Sequence, residues 1–342
     1  MKKGAMAMKN DFFEIRLGFI CRVKEEGWEQ AFSKYKKEFG ISESTAKKWW
    51  KWYEKEVCVS QVCYETDSGP EIIKSAKGKA KRIEQLPLVV KGPLMVEFNG
   101  AVYRIEREGL YRFTIMTKSV RNLIMVIDEN SVMPILKALS LIQIHGNRDQ
   151  NFSLEEKKNL VLSRYWISLT CGDIAALTQK ILEDAGFKSR LVSALTTRSW
   201  NTYNNGHVLL EVFFPSLSGW VLTDIDMGYI FMQNGALVSA IEFYRCVKEN
   251  RQPDFVLLSK KEIDPLWLES NGFSYSHMWR TIVTHIPSKW MWYRRIFQTF
   301  GMKENNRFIY LAEGNDAKRV FQYRGHYAKV MPEKEFQKKF YG

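Results

Sequence analysis

TCGDIAALTQKILEDAGFKSRLVSAL, residues 170–195, is a helix followed by a strand. Ile174, Ala175, Leu177, Thr178, Ile181, Leu182 and Ala185 recur at i, i+3, i+4 spacing, so the helix turns one face to a core. Gly186 is placed to end it. Cys171 stands at the helix N-terminus, where backbone N–H groups and the positive end of the helix dipole favour an anion. The same N–H groups can hold an oxyanion. Beyond a polar loop come GHVLLEVFF (206–214), the turn PSLSG (215–219) and WVLTDID (220–226). These two apolar runs predict a β-hairpin. Folded about Leu217, it sets His207 opposite the Asp224–Met227 end of the second strand.

A thiol, an imidazole and a carboxylate therefore meet in the chain order Cys171, His207, Asp224. They are the candidate nucleophile, base and orienting acid. Taken alone, Cys171 would be read as a small buried hydrophobe. His207 and Asp224 in register with it change that reading. Asp226 competes with Asp224, because residues two apart share one strand face. His145, His277, His285 and His326 have no partner legible in the sequence and are expected at the surface.

The stretch resembles the transglutaminase-like superfamily. The features that carry this are Cys171 opening a helix through Leu182, then Gly186, Arg190, His207 with Glu211, and Trp220 with Asp224. The resemblance spans residues 170–231. It implies an α+β fold of transglutaminase-like or papain-like type, with the cysteine helix packed on an antiparallel sheet. It also implies a Cys171–His207–Asp224 triad acting through a thioester on a peptide, amide or ester substrate, with no cofactor. The Trp220 spacing favours Asp224 over Asp226 as the group that orients His207, with Asp226 left open, and Arg190 and Glu211 read as structural. There are departures. Leu169 stands where the family has a glycine, and Leu209 where an aromatic is common. No tryptophan lies between Trp52 and Trp166, where transglutaminases proper keep an oxyanion-assisting one. The second oxyanion donor is thus left open, as is hydrolysis against transfer. The alternative function is a non-enzymatic DNA- or partner-binding scaffold with a disabled fold of this type.

Working outward, residues 131–250 are expected to be the core, with helices over 134–145 and 153–167. Residues 86–130 read as a small β-rich region, from VEFNGAVYRI (96–105) and YRFTIM (111–116) with turns at Asn99-Gly100 and Glu108-Gly109. Residues 59–85, polar and holding the basic run KSAKGKAKR (74–82), read as a linker. Residues 251–342 read as a basic C-terminal extension. Its segment KWMWYRRIFQTF (289–300) suits either core packing or an interface, with core packing preferred.

Residues 1–58 read as helical. AFSKYKKEFGISESTAKKWWKWYEKE (31–56) resembles the helix-turn-helix of transposase-type DNA-binding proteins, on the turn FGIS and the following STAKKWW. That resemblance implies that Lys47, Lys48, Lys51 and Lys55 approach phosphates and that Ser44 and Thr45 approach bases. The other reading is a helical hairpin docked on the rest of the chain.

The net charge of +13 fits a polyanionic partner, DNA included, or serves solubility. Five cysteines, an odd number, do not make a disulfide framework, and Cys58 with Cys63 has no second pair for zinc. No apolar run is long enough for a transmembrane segment. FFEIRLGFI (12–20) is broken by Glu14 and Arg16 and does not read as a signal peptide, so a cytoplasmic location is expected.

Overall fold

The structure is a computed structural model. It describes residues 19, 22–23, 26–57, 71–73, 80–98, 100–115, 120–128, 131–163, 166–198, 200, 205–258 and 286–342. The chain is mixed α+β with a helical N-terminal region. It divides into two compact units: Met1–Leu86 with Pro93–Glu106 and Leu110–Ile124, and Pro87–Gly92 with Arg107–Gly109 and Met125–Gly342. Among the described residues, no helix is long and apolar enough to cross a membrane.

In the first unit, α1 (Trp28–Phe39) and α2 (Glu43–Val57) are joined by three residues. Gly40 makes that turn in the left-handed region, at φ 64°, and its N–H closes on Lys36 O. The Ser42 hydroxyl then accepts from the Thr45 N–H at 3.1 Å, the expected N-cap. Ala31, Tyr35, Ile41, Ala46 and Trp49 bury together with Phe19 and Val23.

The strands that follow are β1 (Glu71–Ile73), β2 (Lys81–Arg82), β3 (Val89–Lys91), β4 (Leu94–Phe98), β5 (Ala101–Ile105), β6 (Gly109–Ile115) and β7 (Val120–Ile127). β4 and β5 pair antiparallel from Phe98↔Ala101 to Leu94↔Ile105, with Gly100 before β5 at φ 77°; Asn99 of the expected turn lies outside the described residues. β1 pairs with β5 and β2 with β4. Part of the stretch expected to be a linker is thus sheet. Two and three residues of strand are too few to show a period in the sequence; Glu71-Ile72-Ile73 is recruited by the free edge of β5.

In the second unit, β3 lies parallel to the last residues of β7, from Val89↔Met125 to Lys91↔Ile127. Then come α3 (Met133–Ile142), β8 (Gln143–His145), α4 (Leu154–Ser163), β9 (Ile167–Leu169) and α5 (Cys171–Asp184). The helices expected over 134–145 and 153–167 are shorter than that, because Gln143–His145 and Ile167–Leu169 leave them to pair in parallel. Ser153 caps α4 reciprocally with Glu156: the Ser153 N–H donates to Glu156 Oε2 at 2.7 Å, and the Glu156 N–H donates to Ser153 Oγ at 3.3 Å.

The remaining elements are β10 (Ser189–Leu195), β11 (Gly206–Phe214), β12 (Gly219–Asp224), β13 (Tyr229–Gln233), β14 (Ala236–Leu237), α6 (Ala240–Lys248), β15 (Asp254–Leu257), α7 (Ile286–Ile296), β16 (Thr299–Glu304), β17 (Arg307–Leu311), α8 (Gly314–Arg324), β18 (Ala328–Met331) and α9 (Glu333–Tyr341). One sheet runs β14-β13-β12-β11-β10-β16-β17-β18, with β15 also on β13. It is antiparallel apart from the β17–β18 pair. α5 packs on β10 and β11. Val192, Ala194, Leu209, Leu222 and Phe231 of the sheet share a core with Phe243 of α6, Tyr293 of α7, Phe297 just after it, and Phe336 of α9.

The C-terminal residues are therefore not an appendage. β16 pairs directly with β10, and α7 fills the core with Trp290, Trp292, Tyr293 and Ile296, leaving Met291 exposed. Core packing of residues 289–300 is borne out. Two contacts seal the β10–β16–β17 side: Ser193 Oγ lies 2.8 Å from Tyr310 Oη, and the Tyr310 ring sits where any side chain on Gly301 would go.

Candidate active site

Cys171 is the first residue of α5, after Thr170 in extended conformation at φ −73° and ψ 165°. The Ile174 N–H closes the first turn onto Thr170 O at 3.0 Å. The N–H groups of Cys171, Gly172 and Asp173 precede that bond and have no partner inside the helix. Asp173 accepts from Thr170 Oγ1 at 2.6 Å and from Lys157 Nζ at 2.7 Å, which fixes this end of the helix. Cys171 is half-buried, with its thiol free.

His207 is the second residue of β11 and pairs with Ala194 of β10. Leu210↔Thr223 sets the β11–β12 register, so Asp224 lies diagonally across from His207 on the same face. His207 Nε2 stands 2.8 Å from Asp224 Oδ2, and both side chains are buried. The hairpin expectation holds. With Nε2 on Asp224, Nδ1 is the ring nitrogen left for Cys171. Trp292 covers the ring edge-on, with centroids 5.0 Å apart.

Asp224 takes two further donors, the Tyr293 hydroxyl at 2.6 Å and the Met227 N–H at 2.9 Å. Burial opposes charge on His207, yet the Asp224 carboxylate and the Cys171 sulfur outweigh it and hold the imidazole well above its ordinary pKa. Burial, and then Asp224, push the Tyr293 phenol well above its usual range, so it stays a donor.

Asp226 does different work. Gln143 Nε2 donates to its Oδ1 at 2.8 Å, and His145 Nδ1 stands 2.7 Å from its Oδ2. His145 is thus not the unpartnered surface histidine expected; its side chain is only 22% exposed. Its place follows from β8, which runs beside β9 just ahead of Cys171. Gly228 permits the turn that presents Asp226, at φ 79°, where a side chain would meet Ser140 Oγ at 2.9 Å. Gln143 Nε2 also donates to Leu169 O at 3.1 Å, so both its hydrogens are used and it is not the second oxyanion donor.

Cys171 Sγ, a His207 ring nitrogen and an Asp226 oxygen all lie within 4.8 Å of one another. The structure thus brings Cys171, His207 and Asp224 to one place and adds Asp226, His145, Tyr293 and Trp292. A half-exposed thiol beside a buried imidazole that is itself held by a carboxylate can pass its proton and become a thiolate. Arg190 and Glu211 lie on the sheet and lock it. Arg190 Nε donates to Glu211 Oε2 at 2.8 Å, and the guanidinium lies 4.0 Å from the Trp220 ring centroid.

Ser44, Thr45, Lys47 and Lys48 lie on α2, in the other unit. Lys51 and Lys55 are on the same helix, their side chains outside the described residues, as are His277, His285, Cys58 and Cys63. No family model matches the chain, and none of the curated proteins compared with it does.

Proposed function

We propose that the second unit is a cysteine-dependent acyl-transfer or amide/ester hydrolase of transglutaminase-like type. One observation carries the reading: buried His207 has Nε2 2.8 Å from the Asp224 carboxylate and a ring nitrogen within 4.8 Å of the Cys171 sulfur at the N-terminus of α5. His207 Nδ1 takes the thiol proton. The thiolate attacks the carbonyl carbon of an amide or ester, and its oxygen becomes an oxyanion beside the α5 backbone N–H groups. The leaving amine or alcohol departs with the proton from His207, leaving a thioester on Cys171. Water or an amine, deprotonated by His207, then attacks the thioester, and the proton returns to the thiol. No cofactor enters. Free Cys171 and Cys246 agree with a reducing, cytoplasmic setting. The test is a panel of peptide amides, glutamine amides, esters and thioesters, read by intact mass. An acyl adduct confined to Cys171 is expected. If no donor marks Cys171, the scaffold reading replaces the enzyme.

A second activity, DNA binding by the helical region, is favoured by where its tryptophan goes. Trp49 is buried in the helices' own core, while Ser44, Lys47 and Lys48 are exposed on α2. The exposed described residues of α2, Glu43, Ser44, Lys47 and Lys48, are polar, with Lys47 paired to Glu43 at 2.6 Å; the two lysines are the groups that would meet phosphates. In the full chain, Lys47→Ala with Lys48→Ala should weaken duplex binding. It should also lower the slope of log affinity against log salt by about 2, since each phosphate contact contributes about 0.9. An unchanged slope would remove α2 from the DNA interface.

A further inference from the structure

We propose that Cys171, His207 and Asp226 form a binding site for a borderline-soft divalent cation of the Zn²⁺ type, and that filling it silences the thiol. The silencing rests on the acyl-transfer reading; the binding does not.

The geometry comes first. The three donor atoms lie within 4.8 Å of one another. Zinc bonds of about 2.3 Å to sulfur and about 2.0–2.2 Å to nitrogen and oxygen give tetrahedral edges of roughly 3.5 Å. The donors need to close by little more than about 1 Å, within the reach of side-chain rotation. Each ligand is already oriented from behind. His207 gives Nε2 to Asp224 at 2.8 Å, so Nδ1 faces the site; a carboxylate behind an imidazole is the usual support of a metal-bound histidine. Asp226 is held by Gln143 on one oxygen and His145 on the other. Asp224, by contrast, is spent on His207, Tyr293 and the Met227 N–H.

Charge favours the same conclusion. An Asp226 carboxylate within 4.8 Å of a thiolate is an unfavourable neighbour in a place where its own side chain is 1% exposed. A divalent cation between a deprotonated Cys171 and the Asp226 carboxylate offsets the repulsion between them. A sulfur–nitrogen–oxygen set selects zinc over magnesium or calcium. Three protein donors leave the fourth tetrahedral position of the ion to water. Once bound, the cation occupies the sulfur lone pair and the His207 nitrogen that would accept the thiol proton, so the nucleophile and base are lost together.

The experiment uses the full chain after chelator treatment. Co²⁺ should give a sulfur-to-metal charge-transfer band in the near ultraviolet, absent in Cys171→Ser. Asp226→Asn should weaken Zn²⁺ binding by about tenfold or more. Zn²⁺ should protect Cys171 from iodoacetamide, and chelator should restore labelling. Co²⁺ binding without the band, or no binding to the wild type, overturns the site with no variant needed. Failure of the two readings is distinguishable. A Cys171 that labels fast and is not protected by Zn²⁺ sinks the metal site and leaves the acyl-transfer reading standing. A Cys171 that binds Co²⁺ through sulfur but stays inert when metal-free does the reverse.

Discussion

His207→Gln is expected to slow acylation of Cys171 by about 10⁴-fold. The reason is chemical, not architectural. Glutamine keeps a donor that can reach Asp224, so the buried carboxylate retains its partner along with Tyr293 and the Met227 N–H. What glutamine cannot do is accept a proton. The wild-type ring is poised to do so, because Asp224 and the Cys171 sulfur overcome the burial that opposes its charge. Cys171→Ala should abolish the acyl-enzyme altogether. The two losses should not add in a double variant, since nucleophile and base act as a unit. The measurement is single-turnover acylation, with circular dichroism to verify the fold. A His207→Gln enzyme within about tenfold of wild type would place the base elsewhere.

Arg190→Ala is expected to destabilise the second unit by about 3–5 kcal/mol. Glu211 is fully buried and accepts three hydrogen bonds, from Arg190 Nε at 2.8 Å, the Tyr341 hydroxyl at 2.7 Å and the Ala240 N–H at 2.5 Å, with Arg190 Nη2 a further ion-pair contact at 2.7 Å. Removing the guanidinium leaves a carboxylate in the sheet with no cation. It also empties the space between Trp220 and Tyr341, whose ring centroids lie 4.0 and 4.6 Å from the guanidinium. The effect has a pH signature. Burial already holds the Glu211 carboxyl above its ordinary pKa in spite of Arg190, and losing Arg190 raises it further. A carboxyl raised on folding is stabilising in its protonated form and penalises the fold as pH climbs through its range. The deficit of Arg190→Ala should therefore be smallest in acid and grow toward neutral pH. Pairing it with Glu211→Gln should recover part of the loss. Denaturant titration across pH reads both.

The site was legible in the sequence to the extent that it is local. The Cys171 helix and the 206–226 hairpin are contiguous, and a hairpin's register follows from its turn, so His207 and Asp224 could be placed together before any fold was known. The groups behind them could not. Tyr293 and Trp292 come from α7, and His145 and Gln143 from β8; these meet the triad only through tertiary packing. Asp226 shares a strand face with Asp224 in the sequence, and its partners Gln143 and His145, 83 and 81 residues away, show its separate role only in the fold. The basic charge of residues 251–342 masks in the sequence the continuation of the sheet through β16, β17 and β18. Yet Phe308-Ile309-Tyr310-Leu311 is an apolar strand by its side chains. β1 and β2 are too short to carry any pattern.

The pairing of Cys171 with His207 as an acylating nucleophile is tested most directly by trapping the intermediate. The full chain is mixed with an activated thioester or ester, quenched in acid, and examined by intact mass and peptide mapping. The account predicts a single acyl group on Cys171, released by hydroxylamine, absent from Cys171→Ala and strongly slowed in His207→Gln. Acylation spread over other cysteines at a similar rate, or a Cys171 that stays unmodified by every donor while the protein is folded, would contradict it.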